Sequence, residues 1–168
     1  MKGPARVAVL IALAIAVAMN AAANEPATFN TRSLTPETAL KAAQAALHKC
    51  RAEGFQVTVA VADRGGVTQV LLRDRFAPPH TAETAQRKAA TAVNFKMSTL
   101  ELDREMQPGR ATAGLRQLPG VVAVAGGRTI EAGGMLIGGI GVSGAPGPAN
   151  DDLCAAEGIK AIVEDLEF

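Results

Sequence analysis

Two imidazoles, two thiols and one glycine-rich run are the parts of this sequence whose types and spacing could do chemistry. His80 follows the rigid pair Pro78-Pro79 and precedes a helix start at Thr81, so it stands in a loop of the kind that displays functional side chains. An imidazole placed this way needs only one well-directed nitrogen to hold a metal. An N-terminal helix contact, or a place in a subunit interface, is the competing reading. His48 lies beside the apolar stripe of the first helix, near Lys49 and Arg51, where a partly exposed histidine is ordinary. Gly139-x-Gly141-x-x-Gly144 has dinucleotide-binding spacing, yet Pro146-Gly147-Pro148 delays the helix that should begin at its last glycine. Close packing and a tight exit from a strand explain those glycines better. Gly141-Val142-Ser143-Gly144-Ala145 misses the nucleophile elbow at its final position and has no evident base partner, which leaves Ser143 a turn residue. Asp63 beside Arg64-Gly65-Gly66 is turn chemistry. Glu101, Asp103 and Glu105 are two apart on a helix and do not face one another. No His/Cys/carboxylate group has zinc-like spacing. With neither a nucleophile–base pair nor paired carboxylates, the residues lean away from catalysis.

The elements that must position these groups follow from capping and periodicity. Thr35 and Pro36 start a helix whose apolar positions Leu40, Ala43, Leu47 and Cys50 run until Gly54. Val57, Val59 and Val61 alternate with Thr58, Ala60 and Ala62, and the Asp63–Gly66 turn joins that strand to Val67–Leu72 as a hairpin. Thr81 to Asn94 is Ala-rich and free of Gly and Pro, which predicts a second helix. Ser98-Thr99-Leu100-Glu101 fits a capping box opening a short third helix that ends by Gln107, before Pro108-Gly109. Val121 to Ala125, Thr129 to Glu131 and Met135 to Val142 read as three more strands. Asn150 is expected to cap a final helix with Ala155, Ile159, Ile162 and Leu166 on one face, packed on a sheet whose opposite face helices two and three cover. The resulting α-β-β-α-α-β-β-β-α order implies an α+β fold with antiparallel hairpins, not repeated βαβ units.

Lys2 and Arg6 precede an uninterrupted apolar run of 13 residues, Val7 to Met19, and Ala21-Ala22-Ala23 supplies small residues for cleavage. Residues 1–23 therefore read as a secretory signal peptide, residues 24–33 as a linker and residues 34–168 as one domain, periplasmic or secreted, with no stable membrane insertion after cleavage. The run is shorter than the roughly 20 residues a spanning helix needs. Removing Lys2 and Arg6 takes the basic count from 17 to 15 against 16 acidic residues, a net charge of about −1. That balance, with no Trp and no Tyr, argues against a nucleic-acid partner. Many Ala, Gly and Val residues point to a core of small side chains in close contact.

Several local patterns, in order, resemble the GlcG/HbpS-like family of haem-binding proteins. They are Val59-Ala60-Val61-Ala62-Asp63 with Gly65-Gly66, Arg73-Asp74, His80-Thr81, Arg87-Lys88-Ala89-Ala90-Thr91-Ala92, Ile137-Gly138-Gly139-Ile140-Gly141-Val142-Ser143-Gly144, Asp151-Asp152 and Gly158. The resemblance covers nearly the whole chain after residue 33. It implies a profilin-like fold, a five-stranded antiparallel sheet flanked by helices on both faces, assembly into homo-oligomeric dimers or larger rings, and haem or another small molecule as ligand. On that reading His80 is the candidate iron ligand, with Thr91, Thr99 and Met97 as substitutes. Arg73, Arg75, Arg87 and Lys88 are near enough in sequence to partner haem propionates. A profilin-like arrangement also puts the first and last helices on one sheet face, where an oxidising compartment lets Cys50 and Cys154 bridge; two buried thiols are the alternative. The function implied is an exported protein that carries or senses haem. The alternatives are an enzyme degrading haem or acting on a small organic acid, and an accessory oligomer subunit without haem.

Overall fold

The computed structural model describes residues 26–166, so the signal-peptide reading falls outside the described residues. From Arg32 onward the chain forms one compact unit. Helix α1 (Pro36–Ala52) starts where Thr35 accepts a hydrogen bond from the Thr38 amide and Pro36 occupies the first turn. It turns Ala39, Ala42, Ala43, Ala46, Leu47 and Cys50 inward, while Leu40, assigned to the apolar stripe from sequence, is exposed. The small alanines one position away fit the sheet more closely than a leucine does.

Strands β1 (Thr58–Asp63) and β2 (Thr68–Arg73) form the expected hairpin. Asp63 Oδ1 accepts from the amides of Gly65 and Val67, which makes the residue a turn former. Helix α2 (His80–Phe95) and the short α3 (Thr99–Glu105) follow, the latter opened by the Ser98/Glu101 capping box. Strands β3 (Gly127–Ala132) and β4 (Met135–Ser143), then helix α4 (Pro148–Lys160), complete the order.

The sheet has four antiparallel strands in the order β2-β1-β4-β3, not five. The missing strand is Val121–Ala125, which is irregular because its amides find other acceptors: the Val122 amide donates to the Thr91 hydroxyl at 3.1 Å. Asn150 does not cap α4. The helix begins two residues earlier, at Pro148, and the Asn150 side-chain amide donates back to the Pro146 carbonyl at 2.6 Å. The apolar face assigned to the final helix is also divided, since α4 stops at Lys160 and Leu166 falls in a separate 3₁₀ turn, Val163–Leu166.

Side chains alternate across a strand, so the two sheet faces take different partners. Val57, Val59, Val61, Ile140 and Val142 face α1 and α4 in the main core. Ala60 and Ala62 meet Ala85 and Ala89 of α2 on the other face, while α3 packs beside α2 through Leu102 and Met106. Gly141 shows how near α2 lies: a Cβ built there would sit 2.1 Å from the Ala85 carbonyl oxygen and 2.6 Å from the Ala89 nitrogen. The glycine-rich spacing of β4 thus serves close packing. Cys50 and Cys154 form a disulfide, Cα to Cα 5.6 Å, that ties α1 to α4 on the shared face.

Candidate functional site

The last residue of β4, the first turn of α2 and the first turn of α4 meet at a cavity of about 330 Å³. Helix α2 presents His80, Thr84 and Lys88 to it, residues four apart and therefore on one side of the helix. Ser143, Ala145, Pro148 and Asp151 supply the facing wall. His80 is exposed at this cavity, and neither of its ring nitrogens has a hydrogen-bond partner among the described residues. Its backbone carbonyl accepts from the Thr84 hydroxyl at 3.0 Å, one turn further along the helix. Beneath it, the Thr81 hydroxyl is shared between Thr58 Oγ1, 2.7 Å away, and the Pro78 carbonyl, so the loop carrying His80 is pinned to β1.

Lys88 is not the surface cation that its place beside Arg87 suggests. Its side chain is 2% exposed, and its ammonium donates to Asp151 Oδ2 and to the Val142 carbonyl, each at 2.9 Å. The Ala145 amide donates to Asp151 Oδ1 at 2.9 Å, so both carboxylate oxygens are engaged. Burial pushes the Asp151 carboxyl above its ordinary range, and the Lys88 ammonium works against that shift. Next along α4, Asp152 takes a two-point contact from Arg128 on β3, at 3.0 and 2.6 Å. The paired acids thereby fasten the start of α4 to both α2 and the sheet edge.

The other sequence candidates separate. Arg73 donates to the Ala77 carbonyl and shapes the loop leading to His80. Arg87 is exposed and paired with Glu83 one turn back. Thr91 and Thr99 are 2% and 0% exposed, which removes them from any surface an iron could reach. Thr91 holds the Val122 amide, while the Thr99 hydroxyl accepts from the Gly127 amide at 2.8 Å and donates to the Gly127 carbonyl at 3.3 Å. Thr91 thus anchors the Val121–Ala125 segment that sequence reading took for a strand, while Thr99 fixes the first residue of β3. Met97 is partly buried against Leu102 and Met106. His48 is exposed on α1, away from the cavity.

A second cleft, about 560 Å³, adjoins the first through the shared residues Val124 and Pro148. Leu100, Ala123, Ala149 and Leu153 line it, with Val124 and Leu153 well exposed. Its cations are engaged, Arg116 with Asp103 and Arg128, at its edge, with Asp152. An apolar slab beside an unpartnered imidazole would give a flat macrocycle apolar contact for its ring and one nitrogen for its metal, so the residues present fit haem. Sequence reasoning missed Asp151 and Ser143 as cavity residues. The spacing of His80, Thr84 and Lys88 was the available signal, because it puts all three on one helical stripe.

These features define an α+β domain with an antiparallel sheet, helices on both faces and a polar-floored cavity where two of the helices begin. The chain belongs to the HbpS-like family: the family model described as "Haem degrading protein HbpS-like" matches residues 34–160. A double mutant of Streptomyces reticuli HbpS is 38% identical in sequence, with a TM-score of 0.77 over 83% of this chain and 93% of that one. A PduOC:heme complex is 33% identical, with a TM-score of 0.74 over 77% of this chain and 95% of that one. The corrinoid adenosyltransferase PduO of Citrobacter freundii is 40% identical over 111 residues, 64% of this chain and 32% of that protein. The chain thus spans about a third of the length of the curated relatives it matches.

Proposed function

We propose that this protein is exported, binds haem and carries or senses it, with His80 as the iron ligand. The observation that carries the reading is a free imidazole lining a polar-floored cavity that adjoins an apolar cleft, in a fold shared with a relative whose structure is a complex with haem. Haem would bring its iron and conjugated ring, and this chain would supply His80 to the metal and Val124, Pro148 and Leu153 to the ring face. Export is supported by the leading basic residues, apolar run and Ala21-Ala22-Ala23, and by a buried disulfide that suits an oxidising compartment. Homo-oligomeric assembly, which the family resemblance implies, belongs to the same proposal.

Titration of the protein with haemin tests the reading: a saturable Soret change is expected, and its absence would remove haem from the account. The family's description favours one second reading, haem degradation. Addition of a reductant to the loaded protein separates the two, since bilirubinoid products or released iron belong to the enzyme alone.

A further inference from the structure

Ser143 is the last residue of β4 and lines the smaller cavity, yet it is 7% exposed and its hydroxyl has no hydrogen-bond partner among the described residues. The hydroxyl oxygen itself still touches the open space of the cavity, where water or a ligand can satisfy it. Lys88 lies in the same wall with three ammonium donors, of which Asp151 and the Val142 carbonyl take two. One N–H of Lys88 and the Ser143 hydroxyl are thus left without a protein acceptor, on two residues that line the same cavity. Two helices of 16 and 13 residues begin at its rim, at His80 and Pro148, and their positive ends add to the potential there.

We infer that the cavity of Ser143 and Lys88 is a carboxylate-binding site, in which the ligand accepts from the free Lys88 N–H and from the Ser143 hydroxyl. A carboxylate fits better than phosphate, because Asp151 already offsets the one buried cation and a dianion would find little uncompensated positive charge. Val122, Val124, Pro78 and Ala145 line the remainder and suit a short alkyl tail. The carboxylate can come from a free acid of a few carbons or from the edge of a larger ligand that lies in the adjoining cleft.

Calorimetric titration with propionate and with inorganic phosphate, and Soret titration with haemin and with haemin dimethyl ester, distinguish these sources. Saturable propionate binding, weaker phosphate binding and a roughly tenfold loss of propionate affinity in Ser143→Ala support a free acid, since a lost hydrogen bond to a charged group has about that effect. No propionate binding, but tighter binding of haemin than of its ester with the difference erased in Ser143→Ala, supports the propionate arm of haem. The site is overturned if phosphate binds more tightly than propionate, if Ser143→Ala binds either carboxylate as wild type does, or if propionate is ignored and haemin and its ester bind alike. In that last case haem binding itself still stands. A total absence of haemin binding leaves the propionate arm to decide this inference alone.

Discussion

Replacing Gly141 by alanine puts one methyl group where β4 has none to spare. The added carbon would lie 2.1 Å from the Ala85 carbonyl oxygen, 2.6 Å from the Ala89 nitrogen and 3.1 Å from the Ala85 carbonyl carbon, all of them helix backbone. Ordinary contact begins near 3.4 Å, so α2 must retreat by about an ångström along its middle turns, or β4 must buckle. Helix backbone cannot turn aside as a flexible side chain can, and interiors packed this closely resist displacement. Overpacking costs about 1–3 kcal/mol and occasionally more, and a clash with two backbone atoms belongs at the upper end, about 3 kcal/mol. Gly114→Ala is the control, because a Cβ there meets nothing within 4 Å; it should stay within about 0.5 kcal/mol of wild type. Urea denaturation followed by circular dichroism gives both values, provided the slope m is unchanged. A Gly141→Ala protein within about 1 kcal/mol of wild type would refute the close approach of α2 to β4.

Three further outcomes are expected. Replacing Cys50 and Cys154 together by alanine should cost roughly 4–5 kcal/mol in urea denaturation, because the bridge closes 104 residues of chain; a loss under about 1 kcal/mol would mean the thiols are not joined. Asp74 accepts a two-point contact from Arg51, at 2.7 and 3.0 Å, which holds its carboxyl below the ordinary 3.8. A depressed carboxylate adds stability above pH 3.8 that is lost as the pH falls through its folded value, so Asp74→Asn should flatten the acid limb of the stability curve below about pH 3.8. Asp151 is raised by burial and acts in the opposite sense, favouring the fold most below pH 3.8; an acid limb unchanged in Asp74→Asn would contradict the Arg51 contact. The proposed export predicts a product whose intact mass starts near Asn24, and full-length chain retained in the membrane would contradict cleavage.

Much of the architecture was legible because it rests on local rules. The Thr35 cap, the Ser98/Glu101 box and the alternation of Val57, Val59 and Val61 each name their element without tertiary help. Val121–Ala125 failed for the opposite reason. Its apolar run has strand composition, but the Thr91 hydroxyl, which sequence offered as an iron ligand, instead holds the Val122 amide, and Thr99 fixes Gly127 just beyond it. Lys88 misled in the same way, since only the return of Asp151 from 63 residues away makes a buried lysine tolerable. His80 was visible through its neighbours Pro78 and Pro79, whereas Ser143 became a cavity residue only once β4 was laid against α2.

The central claim is that His80 meets the iron, and Soret titration of wild type, His80→Ala and His48→Ala under oxidising and reducing conditions tests it directly. The account expects wild type and His48→Ala to share one saturable spectrum, and His80→Ala to bind more weakly or to show a different ligand-field spectrum. Saturable wild-type binding with His80→Ala unchanged in both affinity and spectrum would contradict it.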